Sequence, residues 1–298
     1  MNDLRREPND LLAYWARYDW RESFFAPGIA ILQALTLSGK TASGAGESRD
    51  SAFRKCLGET AEFHALAALE RQGQAIETGT AGLAAHVDAE CAKMGAVLEA
   101  SERAAVMAWW SGDLIAAALP QAWLEGAKLT EQLGQLRHGA ALKRRTGWWR
   151  IETPTGQPHV MICRSMSPEG QDMVLGFGAD GCPGAAARKA LNEMLLMEMN
   201  LMELMAGRAA GLSEALQRLR ERIVTYGRRC PDLLPQRETS ADLDPGNPRI
   251  SAEEAMRWFG GKADLADITP PDGPINVWIC RPNPSQYPYR NEYGSPFL

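Results

Sequence analysis

The stretch SGKTASGAGESRDSAFRKCLGETAEF, residues 38–63, holds two competing readings, and the choice between them decides the fold. Gly39-Lys40-Thr41 follows the apolar run IAILQALTL (29–37) and invites a phosphate-loop interpretation. A Walker loop needs G-x-x-x-x-G-K-[ST] with a helix opening directly after the lysine. The position five before Gly39 is Ala34, and TASGAGES stands between Lys40 and the next helix. The Walker reading therefore fails. Gly39-Lys40-Thr41 reads as a turn after a strand, TASGAGES as a small-residue loop, and a helix is expected from about Ser48 to Gln72. The chemistry then shifts to Glu59 and Glu62 within that helix.

Aligning the chain on Glu59, Glu99 and Glu193 exposes an internal repeat. Fifteen residues before each glutamate stands Gly44, Ala84 or Gly178, and seven before stands Ala52, Ala92 or Ala186. Three before come Cys56, Ala96 and Ala190, and two before come Leu57, Val97 and Leu191. Each copy reads as an extended segment, a small-residue turn and a helix with its glutamate in the third turn. Offsets of three and seven place the small residues and the glutamate near one helical face, where something is able to pack closely. Agreement at several offsets in three segments favours a true repeat over generic alanine-rich packing.

Two copies continue as E-x-x-E, namely Glu59/Glu62 and Glu99/Glu102, with Arg103 next. A lone E-x-x-E is usually a pair of solvated charges. These helices are apolar around the pair, with Leu57, Phe63 and Leu66 in one and Val97, Leu98 and Val106 in the other. Four glutamates gathered on apolar helices repel one another unless a cation neutralises them. Mg2+, a hard ion that takes carboxylate and phosphate oxygens, suits them. Arg54, Lys55, Arg103, Arg188 and Lys189 would then clamp a polyphosphate.

Around this core, residues 9–25 read as an amphipathic helix carrying Leu11, Leu12, Trp15 and Trp20. TGTAGLAAH (78–86) leads into a helix from Asp88 to about Trp110, and residues 119–136 read as one helix with Pro120 in its first turn. A β-hairpin is expected over GWWRIETPTGQPHVMICRSMS (147–167), turning at Pro154-Thr155-Gly156. A strand follows at 172–180, then helices from about Pro183 to Ala209 and on to about Tyr226. CPDLLPQRETSADLDPGNPR looks like an exposed linker. A short helix (251–260), the strand INVWIC (275–280) and a Pro/Tyr-rich tail complete the chain. Mixed elements with hairpin signals favour α+β over α/β.

The 298 residues allow one large core or two modest ones. A net charge of −5 offers no general attraction to nucleic acid or anionic lipid. MNDLRREPND is polar and mixed in charge, unlike a secretory signal. No apolar run approaches the roughly 18 residues of a membrane span, so a cytoplasmic location is expected. Six scattered cysteines and four histidines supply no zinc spacing, and buried, reduced thiols are the default. His86 and Cys91 face each other across a helical turn, but their spacing is a weak metal signal. The run MLLMEMNLMELM (194–205) and the pairs Trp109-Trp110 and Trp148-Trp149 read as core, with a peptide-binding surface the rival reading for the methionines.

At these motifs the sequence resembles the YcaO family, whose members carry A-R-x-S-A-L-x-E-x-x-E-R, then N-G-L-A-A-G before G-L-x-E-x-x-E-R-D-A, then R-A-L-x-E-x-x-Q. Here they read AFRKCLGETAEF (52–63), TAGLAAH (80–86) with VLEASERAA (97–105), and RKALNEMLL (188–196). The resemblance spans roughly residues 35–205. It implies an α+β fold of repeated strand–helix units, with ATP and Mg2+ held between glutamate-bearing helices. Glu59, Glu62, Glu99 and Glu102 would be metal ligands, joined by Glu90, and Lys55, Arg103, Lys189 and Glu193 would contact nucleotide.

The implied activity is ATP-dependent phosphorylation of backbone amides in a ribosomally made precursor peptide. Attack by Cys, Ser or Thr side chains gives azolines; external sulfide gives a thioamide. A non-catalytic scaffold subunit is the alternative. Implied partners are the precursor peptide and a separate leader-binding protein of ubiquitin-activating-enzyme-like or TfuA type. A flavin dehydrogenase in the same complex and a homodimer or hetero-complex are also implied, with neither nucleic acid nor membrane. Residues 1–228 would form the core, 229–250 a linker-like segment and 251–298 a C-terminal segment completing the core. The chain departs from the family pattern at Phe63 (for arginine), Lys55 (for serine), Ala104 (for aspartate), Leu196 (for glutamine) and Lys189 (for arginine). Its end, GSPFL, lacks P-x-P-x-P, and Pro282-x-Pro284 lies too far upstream to replace it.

Overall fold

The computed structural model describes residues 8–74, 79–154, 157–207, 214–238, 243–246, 252–256, 259, 263–282 and 294–297. In chain order, a 3-10 helix (Pro8–Tyr14) leads to β1 (Trp15–Arg21), β2 (Ala30–Thr36), β3 (Thr41–Gly46), α1 (Arg49–Arg71), β4 (Gly82–His86) and α2 (Ala89–Ser111). Next come β5 (Ala116–Ala118), α3 (Gln121–Gly126), α4 (Leu129–Leu136), β6 (Arg145–Ile151), β7 (His159–Met166), β8 (Val174–Asp180) and α5 (Pro183–Gly207). The chain closes with α6 (Glu214–Leu233), α7 (Ala252–Met256), β9 (Asp264–Asp267) and β10 (Asn276–Arg281). The three sheets among the described residues are antiparallel, so the fold is α+β.

The chain forms two compact units. The first comprises Met1–Arg21, Ala30–Arg103 and Ser251–Gln286; the second comprises Glu22–Ile29, Ala104–Ile250 and Tyr287–Leu298. In the first, the sheets run β1-β2-β3 and β4-β10-β9. Helix α1 starts where the Ser48 side chain accepts the Ser51 N–H at 3.2 Å, a normal N-cap. It buries Cys56 with Leu32, Ala34 and Ala42, and buries Leu57, Ala61 and Ala65 with Leu11, Ile275 and Val277. The second unit has the sheet β5-β6-β7-β8, with α5 lying against β7 and β8.

Close approach explains the glycines of β3 and β8. A Cβ on Gly44 would strike the Ala52 carbonyl and lie 2.7 Å from the Cys56 nitrogen. One on Gly178 would meet the Ala186 carbonyl and the Ala190 nitrogen in the same way. Residues 41–46 are thus a strand and not the loop their Gly/Ser composition suggests. The small side chains let the following helix settle directly on the strand.

Two other expectations change. The helix expected over 9–25 is a 3-10 turn followed by β1. A register shift between Trp15 and Arg17 brings Trp15 onto the same face as Trp20, both packed against the cluster of Leu32, Ala34, Ala42 and Cys56. Leu11 and Trp15, four residues apart, straddle the 3-10 turn and the start of β1 and so look helical in the sequence. The single helix expected over 119–136 breaks at Lys128, whose φ of 59° is left-handed, giving α3 and α4. Helix α6 also runs beyond Tyr226 to Leu233, through Pro231.

The hairpin, the strand at 174–180 and the long helix from Pro183 agree with the sequence, although Thr155 and Gly156 lie outside the described residues. So does most of the Pro/Tyr-rich tail. Trp109, Trp110, Trp148 and Trp149 are buried as expected of core, but of the methionine-rich run only Met194 and Met199 are buried, Met197 and Met202 being half-buried and Met205 exposed. Among the described residues, no helix is long and apolar enough to cross a membrane.

Candidate functional site

Three helices return a glutamate to the strand that precedes them. Glu59 Oε2 accepts the Ser43 N–H at 2.5 Å, Glu99 Oε2 the Leu83 N–H at 2.9 Å, and Glu193 Oε2 the Phe177 N–H at 2.7 Å. The donor lies 16 residues before the acceptor each time. Two copies share a second bond: Lys55 Nζ donates to the Ala45 carbonyl at 2.7 Å, and Lys189 Nζ to that of Ala179 at 2.9 Å. The strands concerned, β3, β4 and β8, are sheet edges. Their outward backbone groups would otherwise be open to further pairing. The repeat read from the sequence is therefore a repeat of structure, and the small residues at its fixed offsets are buried helix positions: Ala52, Cys56, Ala92, Ala96, Ala186 and Ala190.

In the first unit, Glu62 adds a link between elements. Its Oε1 accepts the Ala85 N–H at 3.1 Å, so α1 holds β4 as well as β3. Burial pushes Glu59 up to about 7, with a further push from Glu99 set against the Ser43 hydrogen bond. Burial also raises Glu62 well above the carboxylate range, and the charges of Glu99 and Glu59 add to it. Glu59, Glu62 and Glu99 thus lie within range of one another's charge. Arg103 answers part of it, giving Nε at 2.9 Å and Nη2 at 2.7 Å to Glu99 Oε1. Glu99 and Arg103 keep 30% and 27% of their side chains exposed, which leaves the cluster open to a solvent-borne ligand. Three carboxylates facing one arginine make a hard-oxygen donor set that suits Mg2+ better than a thiolate-seeking metal.

The other expected residues fall as follows. Glu102 is partly exposed on α2, three residues beyond Glu99. Glu90 is 74% exposed at the start of α2, with Lys93 as its partner at 2.5 Å. Phe63, standing where the family pattern has arginine, lies under Lys40, whose Nζ is 5.3 Å from the ring centroid. His86, Asp88 and Cys91 bring their ligand atoms within 4.8 Å, but all three are exposed. His86 Nδ1 accepts the Asp88 N–H, and Asp88 Oδ1 accepts that of Cys91, so local backbone already engages them.

In the second unit, Lys189 also pairs with Asp180 at 2.8 Å. Phe177, whose N–H serves Glu193, packs against Phe297 at 5.4 Å between ring centroids. The Tyr226 hydroxyl donates to the Pro296 carbonyl at 2.5 Å. Burial raises the Tyr226 hydroxyl, with the charge of Glu193 a lesser contributor. The backbone donors at Ser43, Leu83, Ala85 and Phe177 escaped the sequence reading because no side chain marks them. Their constant offset from the glutamates is the signal that would have found three of the four.

Residues 60–267 match the family model described as YcaO cyclodehydratase, ATP- and Mg2+-binding. The chain belongs to the YcaO family. No curated protein matches it. Among solved structures, a YcaO from Methanopyrus kandleri bound with AMPPCP and Mg2+ is 16% identical, covering 93% of this chain and 91% of that one with a TM-score of 0.62. A heterocyclase in complex with substrate and cofactor is also 16% identical, with a TM-score of 0.64 over 93% of this chain. This chain corresponds to 52% of that protein, about half its length. The E. coli microcin synthetase McbBCD complex with pro-MccB17 bound is 13% identical, covering 90% and 87% with a TM-score of 0.60. At these identities the likeness is one of fold. The cofactors read from the sequence, ATP and Mg2+, are those of the YcaO family.

Proposed function

We propose that this YcaO chain spends ATP to activate backbone amides of a ribosomally made peptide, closing Cys, Ser or Thr residues into azolines. The observation that carries this reading is the convergence of Glu59, Glu62 and Glu99 in the first unit, two of them with raised pKa values. Such a cluster is at ease only with a counter-cation. Glu59, Glu62, Glu99 and Glu102 would hold Mg2+, which when bound neutralises phosphate charge and polarises phosphoryl oxygen. Lys55, Arg103, Lys189 and Glu193 would orient the nucleotide. Glu90 has a weaker claim, because Lys93 already balances it.

In the overall reaction the side-chain thiol or hydroxyl adds to the amide carbon and gives up its proton. The amide oxygen takes the terminal phosphoryl group of ATP and departs as phosphate, ADP is released, and the nitrogen gives up its proton to form the C=N bond. The peptide would be presented by a leader-binding partner protein.

Thioamide formation, with sulfide as the nucleophile and a TfuA-type partner, uses the same activation. A scaffold role is favoured by two features alone: Phe63 in place of arginine, and Ala104, which is buried where the family pattern has an acid. The test measures Mg2+-dependent nucleotide binding first and peptide mass second. Wild type should bind ATP only with Mg2+, and Glu62→Gln and Glu102→Ala should each cut peptide-dependent ATP turnover by about 10²-fold or more. Loss of the mass of water marks an azoline, exchange of oxygen for sulfur a thioamide. A chain that ignores ATP is a scaffold, and the enzyme reading falls.

A further inference from the structure

Strand β1 is the outermost strand of its sheet, paired on one side with β2. The direction of its remaining backbone groups follows from β3. The Ser43 N–H and Ala45 carbonyl serve Glu59 and Lys55, so they face away from β2, and Ala42, Gly44 and Gly46 face towards it. Successive residues of a strand bond to alternate sides. Ala30, Leu32 and Ala34 of β2 therefore bond β3, and Ile31, Gln33 and Leu35 bond β1 through Arg21, Asp19 and Arg17. Tyr18 and Trp20 consequently turn their N–H and C=O groups to the outer edge, where no strand among the described residues takes them up. Beside that edge runs a groove of about 540 Å3 lined by Leu12, Trp15, Tyr18, Trp20 and Phe53. Tyr18 is 57% exposed.

An open edge is normally guarded by proline or by charges that repel a newcomer. β1 has no proline, and the charges of its sequence WARYDWR complement themselves. Antiparallel self-pairing about Tyr18 sets Tyr18 against its own copy and Arg17 against the partner's Asp19, twice over. It also matches outward-facing residues with outward-facing residues, as ladder hydrogen bonds demand. Sliding to the next allowed register on either side opposes Arg17 to its own copy, or Asp19 to its own copy. Like charges directly opposite destabilise a strand pair.

We infer that a second copy of this chain docks on the outer edge of β1, in the register centred on Tyr18, and makes one continuous sheet across a two-fold axis. Sedimentation of the full chain tests this. Wild type should form a concentration-dependent dimer. Arg17→Asp and Asp19→Arg should each weaken it roughly tenfold or more, because each puts like charges opposite one another twice. An equimolar mixture of the two variants should recover dimer, since every opposed pair is again of opposite sign, as should the double variant Arg17→Asp/Asp19→Arg. Both side chains are exposed, so unchanged circular dichroism certifies the fold. A wild type that stays monomeric at tens of micromolar overturns the inference. So does a dimer indifferent to the swaps, or a monomer that instead takes up an added extended peptide at this edge.

Discussion

Glu59 answers two demands at once. One oxygen closes the edge of β3 through Ser43, while its charge sits near those of Glu62 and Glu99 in a partly buried place. Its folded pKa of about 7 lies above the ordinary value of 4.5, and this fixes the sign of a pH effect. Between these values the unfolded chain releases the proton while the folded chain keeps it, so stability falls as pH rises through the window and levels off above it. Without Mg2+, the melting temperature should therefore fall between pH 5 and pH 8 by more in wild type than in Glu59→Gln. Added Mg2+ should raise it most at pH 8. Equal pH profiles for wild type and variant would count against the burden placed on this carboxylate. The glutamates were legible in the sequence because their spacing from small residues recurs. Their roles in closing sheet edges were not, because a backbone N–H has no letter of its own.

At the scale of elements, the fit of helix to strand depends on absent side chains. Gly44→Ala would drive a methyl group into the carbonyl of Ala52, and Gly178→Ala into that of Ala186; neither obstacle is a flexible side-chain end. Overpacking of this kind costs about 1–3 kcal/mol. Urea unfolding should show that loss for both variants, while Gly126→Ala, with open space around it, stays close to wild type. These glycines also explain what the sequence hid. A strand made of Thr, Ala, Ser and Gly looks like a loop by composition, and only the helix lying on it reveals why small residues were needed. β1 was hidden for another reason: a bulge puts Trp15 and Trp20, five residues apart, on one face, and so breaks the alternation by which a strand is recognised.

At the scale of the whole molecule, each unit carries its own interior, the first with two copies of the strand–helix repeat and the second with one. The second is pinned by a buried charge. Glu198 is fully buried, accepting from Arg137 Nη2 at 2.7 Å and hydrogen-bonded to Ser165, with Arg144 Nε at 3.2 Å. Removing it takes the carboxylate from Arg137 and leaves Arg144 with Asp172 as its remaining counter-charge. Glu198→Ala should cost about 3–5 kcal/mol, and thermal melting should show it without any change in Mg2+ affinity. This network was not legible beforehand, since Glu198 lies 61 residues from Arg137 and nothing in its methionine-rich run points to an arginine partner. The family, by contrast, was readable from three short blocks, because glutamates set at fixed distances from small buried helix positions leave a periodic trace.

The carboxylates that hold β3, β4 and β8 touch those strands through main chain alone, and the four residues gripped are Ser, Leu, Ala and Phe. Evolution is thus free to change those letters without loosening the clasp. It has no such freedom with the glutamates, whose loss would unfasten the strand that each one holds.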